Sequence, residues 1–314
     1  MSSPTGPAPG LPVRMPRPRQ PGRHRRPEPA AAPVGAPPLV LAVPGTPEPA
    51  TRGLAEEILS IARSELPGID ARIGYVDAQG DSGGYPSLES VLAHAAAQRA
   101  ARAREAEASG SAADAADSWD RWPTAITVPL LAGPDNALLR RIRQSVMNSG
   151  SVTELTDTLG PHPLLAEALH VRLSEAGLAR ADRARLFTVA TAADGIILAT
   201  VGGEEAVQAA GITGMLLSAR LAVPVLAAAL DEEGAVARAA EQLRGAGSRQ
   251  LALAPCLIGP EVAEGLAAEA AREISCAAAE PLGAYPAIGK LALAKYASVL
   301  GITPQPSPQG VPGR

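Results

Sequence analysis

The chain has 314 residues, a formal net charge of −4 and 46% hydrophobic residues, so it can form one large domain or two medium ones around a buried core. The small net charge and the 2% aromatic content argue against binding to nucleic acid, which needs basic surfaces or rings that stack on bases. No apolar run reaches the roughly 18 residues of a membrane-spanning helix. We therefore expect neither nucleic acid nor a membrane as a partner.

Both ends of the chain have the composition of disordered tails. Residues 1–38 are basic and rich in proline and contain no apolar segment, so they do not fit a signal peptide. The prolines also prevent the amphipathic helix that an organelle-import leader needs. We predict disordered tails over residues 1–38 and 301–314.

The cysteines give no support to a zinc site or a redox motif. Cys256 and Cys276 lie in different predicted elements and do not form a CxxC pair. A reduced, cytoplasmic compartment is the default expectation for such a chain.

Strand and helix patterns alternate along residues 39–178. The first strand is an apolar run that ends at Pro44-Gly45, and a segment with apolar residues at helical spacing follows it. Asp77 stands at the C-terminal end of the second strand, and the polar stretch at about 99–122 is predicted to be a surface insertion. The predicted strands are 39–43, 70–76, 125–131 and 152–158, and the predicted helices are 51–66, one that begins at Pro86-Ser87, 137–147 and 163–177.

The same alternation returns over residues 195–300. Strands that alternate with helices at this spacing indicate βαβ units, and therefore an α/β fold with parallel sheets. The predicted strands are 195–200, 223–229, 250–256 and 276–280, and the predicted helices are 204–219, 233–245, 261–273 and a last one from about 285 to 300.

The two segments also match each other in sequence. LGPHPLLAEAL at 159–169 matches LGAYPAIGKLAL from Leu282 onward. VPLLAGPDNALLRRI at 128–142 matches APCLIGPEVAEGL at 254–266, in the same relative place. We interpret this as an internal duplication of a unit of about 110 residues, which is a usual size for one domain.

The repeated unit resembles the family of sirohydrochlorin ferrochelatase and the anaerobic cobalt chelatase. The residues that carry the resemblance are the first strand and glycine turn at 39–47, Tyr85-Pro86-Ser87-Leu88-Glu89, Val128-Pro129-Leu130-Leu131-Ala132-Gly133, and Leu159-Gly160-Pro161-His162-Pro163-Leu164-Leu165. The resemblance covers about residues 39–300. It implies two tandem, similar halves, each a parallel sheet with helices on both faces, over residues 39–178 and 195–300.

Members of this family are lyases that insert Fe²⁺ or Co²⁺ into a tetrapyrrole, in siroheme or cobalamin synthesis. Insertion needs a ligand that gives up the metal and a base that accepts the pyrrole protons, and imidazole does both near neutral pH. In the family, one histidine follows the first strand and another follows the third, with an acidic residue at the end of the second. Here Pro44 stands at the first position, Asp135 at or beside the second, and Asp77 at the acidic position.

The resemblance therefore implies a candidate site without the usual histidines. Asp77 is the candidate catalytic residue. Asp135, Asp77 and His162 are the candidate metal ligands, with Fe²⁺ or Co²⁺ as a possible substrate and no certain cofactor. The turn residues expected at the cleft are Pro44, Gly45, Thr46 and Gly133.

Each candidate also has a structural interpretation. Asp77 can be a turn-forming aspartate, and Asp135 can be the N-cap of the helix that follows it. His162 can pack or cap at a helix start, because its counterpart in the second half is Tyr285, another polar ring.

Three functions remain open at this point. The first is a chelatase that uses Asp77 and Asp135 in place of histidine. The second is a catalytically degenerate relative that binds a tetrapyrrole, a metal or a pathway partner without turnover. The third is a relative in fold alone, whose cleft takes another small molecule.

Overall fold

Two four-stranded parallel sheets organise the chain in the computed structural model, which describes residues 31–79, 82–109, 122–179 and 193–302. In the first sheet the strand order is β2-β1-β3-β4, with β1 Leu39–Val43, β2 Ala71–Tyr75, β3 Ala125–Pro129 and β4 Thr153–Leu155. In the second sheet the order is β6-β5-β7-β8, with β5 Gly195–Thr200, β6 Val225–Ala229, β7 Leu251–Pro255 and β8 Ala277–Ala278. The two halves therefore have the same strand order.

Helices cover both faces of each sheet, which confirms the predicted α/β class with two similar halves. The helices are α1 Pro49–Glu65, α2 Leu88–Ala108, α3 Asn136–Asn148, α4 Pro163–Glu175, α5 Gly203–Leu221, α6 Ala235–Gly245, α7 Leu266–Glu273 and α8 Pro286–Leu300. Strands β1, β3, β5 and β7 are buried along their whole length, as expected for parallel strands covered on both faces. No helix within the described ranges is long and apolar enough to cross a membrane.

One hydrophobic core joins the two halves. It contains side chains from α1 and α4 of the first half and from α5 and α8 of the second, and these four helices lie between the sheets. Two smaller cores lie on the outer faces, one beneath α2 and α3 and the other beneath α6 and α7. The halves are therefore packed against each other through a shared aliphatic layer.

The structure describes part of the predicted tails and part of the predicted insertion. Residues 31–38 lie within the predicted N-terminal tail, and they are fixed to the fold. The Ala32 N–H donates to the Pro67 carbonyl at 3.0 Å, and the buried Tyr296 hydroxyl donates to the Pro37 carbonyl at 2.8 Å. Residues 1–30, 303–314 and most of the predicted insertion, 110–121, lie outside the described residues.

The helix expected over 261–273 begins later, at Leu266. The residues before it form turns, because the Glu261 carboxylate accepts hydrogen bonds from the Ile258 and Gly259 N–H groups and holds the chain in a loop. Gly265 then enters the helix with a φ of +87°, a conformation that favours glycine.

Helix α8 approaches α1 so closely that only glycine fits at one position. A Cβ atom on Gly289 would lie 2.6 Å from the Ile61 Cβ and 2.9 Å from the Ile58 carbonyl oxygen. Neither neighbour is the flexible end of a side chain, so the two helices would have to separate. Gly289 therefore sets the distance between the halves along this pair of helices.

We expect Gly289→Ala to lower the free energy of unfolding by about 1–3 kcal/mol, because it overfills a packed contact between helices. Gly211 lies within α5 with no atom close enough to meet an added Cβ. Gly211→Ala should therefore raise the stability by about 0.5–1 kcal/mol, the ordinary preference of a helix for alanine. Urea denaturation of both variants measures the difference, and a destabilisation that is equal in the two would contradict the account.

Candidate functional site

The turns at the carboxyl edges of the two sheets meet between the halves. Gly45, after β1, has a φ of +84°, and a Cβ atom there would lie 2.2 Å from the Pro260 carbonyl oxygen. Gly202, after β5, has a φ of +110°, and its Cβ would lie 2.8 Å from the Asp135 Cα. Ligands of parallel sheets bind at the carboxyl ends of the strands, so the region where these turns meet is the candidate site.

Asp77 fixes the turn after β1. One of its carboxylate oxygens, Oδ2, accepts a hydrogen bond from the Gly45 N–H at 2.9 Å. The other oxygen, Oδ1, forms an ion pair with the Arg141 guanidinium, which reaches it from α3. Asp77 is therefore engaged by a backbone donor and by a cation that compensates its charge.

The second half repeats this contact with a residue that the sequence analysis did not select. The Gly202 N–H donates to the Asp231 carboxylate at 3.0 Å, so Asp231 after β6 corresponds to Asp77 after β2. The signal was present in the sequence, because each aspartate shortly follows the second strand of its half. The same aspartate-to-turn contact in both halves favours the turn-forming interpretation of Asp77.

Asp135 is the N-cap of α3. Its Oδ1 atom accepts hydrogen bonds from the Ala137 N–H at 2.8 Å and the Leu138 N–H at 2.9 Å. Such a cap satisfies two of the donors that every helix leaves unpaired at its start. The contact of Gly202 with the backbone of Asp135 then ties this helix start to the other half.

Glu261 is the acidic residue at the corresponding place in the second half, and it also connects the halves. Its carboxylate accepts hydrogen bonds from the Ile258 N–H at 2.9 Å and the Gly259 N–H at 2.6 Å. Burial raises the pKa of the Glu261 carboxyl, although these two donors and the backbone of Ala132 in the first half act to lower it. The net result is a pKa above the ordinary value of a glutamate, with burial as the largest cause.

His162 is the N-cap of α4. Its Nδ1 atom accepts a hydrogen bond from the Leu164 N–H at 3.1 Å, which requires an unprotonated Nδ1. Burial lowers the pKa of His162, and the positive charge of Lys295 lowers it further. A neighbouring cation that disfavours imidazolium also disfavours a metal ion, so these contacts favour the capping interpretation.

The predicted site residues thus take part in several separate local contacts and not in one common site. Pro44 is buried, Gly45 is held by Asp77, and the Thr46 carbonyl accepts a hydrogen bond from the Thr51 hydroxyl at 3.2 Å. Gly133 precedes the cap of α3, and nothing lies close to the place of its missing Cβ. In the part of the chain that the structure describes, no three His, Cys, Asp or Glu side chains form a group that could hold a metal ion. The metal-ligand role of Asp77, Asp135 and His162 stays a prediction.

A groove of about 610 Å³ opens beside the turns, between the two halves. One wall is the start of α1, and the other is formed by the loop after β7, helix α7 and the segment after β8. Its aliphatic lining includes Leu54, Leu257 and Val262. The charged side chains that border it are Glu48, Glu264, Glu280 and Arg272. A concave, mostly aliphatic space with a few polar groups is typical of a small-molecule site.

Comparison with known proteins supports the fold and nothing more specific. No protein-family model and no curated protein matches the chain. Among solved structures, the chain is similar to the sirohydrochlorin chelatase SirB from Bacillus subtilis subspecies spizizenii, solved in complex with cobalt. The TM-score is 0.54 at 10% sequence identity, over 84% of this chain and 95% of that one. The protein thus has a chelatase-like fold with two halves.

The raised pKa of Glu261 predicts a pH dependence of stability. The ordinary pKa of a glutamate is 4.5, and the folded protein holds this proton to a higher pH than the unfolded chain does. Stability should therefore fall as the pH rises from the unfolded pKa through the folded one.

Glu261→Gln removes this titration, so the difference in unfolding free energy between wild type and variant should change as the pH rises above the ordinary glutamate value of 4.5. Chemical denaturation at several pH values measures it. Asp194 is a useful comparison, because backbone donors lower its pKa and its contribution should be lost only as the pH falls below about 3.8. A difference that is constant across the range would contradict the prediction for Glu261.

Proposed function

We propose that the chain is a catalytically degenerate, chelatase-like protein that binds a tetrapyrrole between its halves without inserting a metal ion into it. The observation that carries the proposal is the state of Asp77. This is the carboxylate that the resemblance assigns to catalysis, and it is bound by the Gly45 N–H and paired with Arg141.

Metal insertion has two chemical requirements that these residues do not meet well. A group must hold the metal and release it, and a base must accept the pyrrole protons. Pro44 has no side-chain atom for either task. A metal ion at Asp77 would have to displace or approach the Arg141 guanidinium, and two cations that compete for one carboxylate repel each other.

The groove between the halves supports ligand binding. Leu54, Leu257 and Val262 offer an aliphatic surface for the flat face of a macrocycle. Three carboxylates and one guanidinium border the groove, so free carboxylates on the ligand would be repelled. We therefore expect affinity to decrease as the number of carboxylates at the edge of the macrocycle increases.

The competing candidate is a chelatase that inserts Fe²⁺ or Co²⁺ for siroheme or cobalamin synthesis, with Asp77 and Asp135 in place of the histidines. The observation in its favour is that both carboxylates stand at the carboxyl edge of the first sheet, one after β2 and the other before α3. Hard oxygen ligands can hold divalent metals, although imidazole suits Fe²⁺ and Co²⁺ better.

Two further inferences belong to the same proposal. An internal duplication accounts for the identical strand orders and for the paired contacts Gly45–Asp77 and Gly202–Asp231. A cytoplasmic location follows from the cysteine pattern and stays a prediction.

The direct test mixes the purified protein with sirohydrochlorin and Co²⁺ or Fe²⁺ and follows the absorbance spectrum. We expect no insertion rate above the spontaneous one, together with a spectral shift or fluorescence quenching on titration of protoporphyrin, which carries fewer carboxylates. A rate above the spontaneous one that Asp77→Asn abolishes would establish the chelatase instead. Binding of neither macrocycle would leave a relative in fold alone.

A matched pair of variants tests the role of Arg141. Arg141→Ala removes the cation beside Asp77, so Co²⁺ should bind more tightly than to wild type, by roughly tenfold for one strong charge pair. Arg140→Ala changes the preceding residue of the same helix, whose guanidinium bonds the Asn136 carbonyl instead. It should leave Co²⁺ binding unchanged, as measured by calorimetry. An equal effect of the two variants would contradict the proposed competition.

A further inference from the structure

A second groove, of about 840 Å³, lies at the edge of the first sheet, away from the turns between the halves. It runs over strand β2, which is an edge strand, and its walls are α1 and α2. No role of the chelatase-like site involves it. The titratable side chains among the described residues that line it are Arg52, Glu56, Arg63, Arg72, Tyr75 and His94.

The hydroxyl of Tyr75 is the unusual feature of this groove. The Tyr75 residue is only 1% exposed, and among the described residues no group accepts the proton of its hydroxyl with good geometry, although the Arg52 guanidinium interacts with the hydroxyl oxygen. Burial raises the pKa of Tyr75, while the nearby Arg52 acts to lower it. A buried donor without a partner costs free energy, and a ligand that accepts its hydrogen bond would recover that cost.

Guanidinium groups line the same groove, and of the charged side chains there Arg52 and Glu56 act on the Tyr75 hydroxyl. Arg63 donates to the Ala71 carbonyl at 2.6 Å, and Arg52 donates to the Gly84 carbonyl. Neither carbonyl carries a charge, so both guanidinium groups keep their full positive charge. Arg72 is paired with Asp70 at 2.6 Å, and Glu56 is the one carboxylate among the described residues that line the groove. The groove therefore has a positive balance.

Aromatic side chains are concentrated here in a chain that has few of them. Tyr75 and Tyr85 are two of only four tyrosines, and their rings form an edge-to-face pair with centroids 5.4 Å apart. The Arg52 guanidinium lies over the Tyr85 ring at 4.3 Å from its centroid. The cation–π attraction helps to keep the Arg52 guanidinium at this place, where its fork of N–H donors can bind a carboxylate or phosphate.

The open edge of β2 adds a backbone donor. The Val76 N–H bonds the neighbouring strand, at the Val43 carbonyl, whereas the Tyr75 N–H bonds the Pro86 carbonyl on the other side. Since N–H groups alternate in direction along a strand, the Ile73 N–H faces the same side as that of Tyr75, toward the groove.

The geometry points to a binding site for a small organic molecule that carries a carboxylate or phosphate group. The oxyanion accepts the Tyr75 hydroxyl hydrogen bond and lies beside the guanidinium groups of Arg52 and Arg63, with the remainder of the ligand along α2. Guanidinium groups bind carboxylate and phosphate through the same pair of parallel hydrogen bonds, so the chemistry of the ligand head group is common to both.

Calorimetric titration of the full chain with citrate and, separately, with inorganic phosphate tests the site and distinguishes the two oxyanions. We expect at least one of them to bind, and Tyr75→Phe to weaken that binding by roughly tenfold or more, the loss of one charge-assisted hydrogen bond. Tyr75→Phe should leave the stability nearly unchanged, because Arg52, which interacts with this hydroxyl, keeps its hydrogen bond to the Gly84 carbonyl.

Arg63→Gln should weaken the same binding by tenfold or more, and Arg63→Lys should restore part of it, because lysine keeps the charge and loses the planar fork. Arg140→Gln is the matched control, since Arg140 also donates to a backbone carbonyl but lies on α3, outside the groove. It should bind like wild type. Urea denaturation of each variant separates lost binding from lost folding.

Three results would overturn the proposal. The first is that neither citrate nor phosphate binds the wild-type protein at millimolar concentration. The second is that Tyr75→Phe and Arg63→Gln bind as wild type does. The third is that Arg140→Gln loses as much affinity as Arg63→Gln, which would mean attraction to the general surface charge.

Discussion

The structure depends on the close approach of two pairs of turns at the carboxyl edges of the sheets. Gly45 meets the Pro260 carbonyl, and Gly202 meets the backbone of Asp135. Both glycines have a positive φ, so these positions exclude side chains for reasons of space and of backbone conformation. The turns at Gly45 and Gly202 are each held by an aspartate, and the shared aliphatic layer of helices holds the two halves together.

This constraint also decides what the candidate site can do. The carboxylates at the edges of the sheets are used to organise turns and helix starts, and they accept backbone N–H groups as Asp77, Asp135 and Glu261 do. Acidic residues at strand ends are good metal ligands only when their oxygens point into open space. The groove beside the turns is lined mainly by aliphatic side chains, which is why we propose that it binds a ligand and takes no part in metal chemistry.

The sequence predicted the fold well because its signals are local and occur twice. Strand and helix periods, and the matching segments at His162 and Tyr285, are sufficient to predict two α/β halves. The caps of Asp135 and His162 were also foreseeable as alternatives, since capping depends on residues two or three positions away. The ion pair of Asp77 with Arg141 could not be predicted from the sequence. It joins the end of β2 to α3 across 64 positions of sequence (141 − 77) and depends on how these two elements pack. The same holds for the groove at Tyr75, which forms only when α1 and α2 lie on either side of β2.

Anomalous X-ray diffraction from crystals of the protein soaked in Co²⁺, collected at the cobalt edge, can decide whether the two aspartates bind a metal ion. We expect no cobalt peak at the turns, with Asp77 still paired with Arg141 and Asp135 still capping α3. A cobalt peak within about 2.0–2.2 Å of the oxygens of both Asp77 and Asp135 would contradict it, because that distance is a coordination bond.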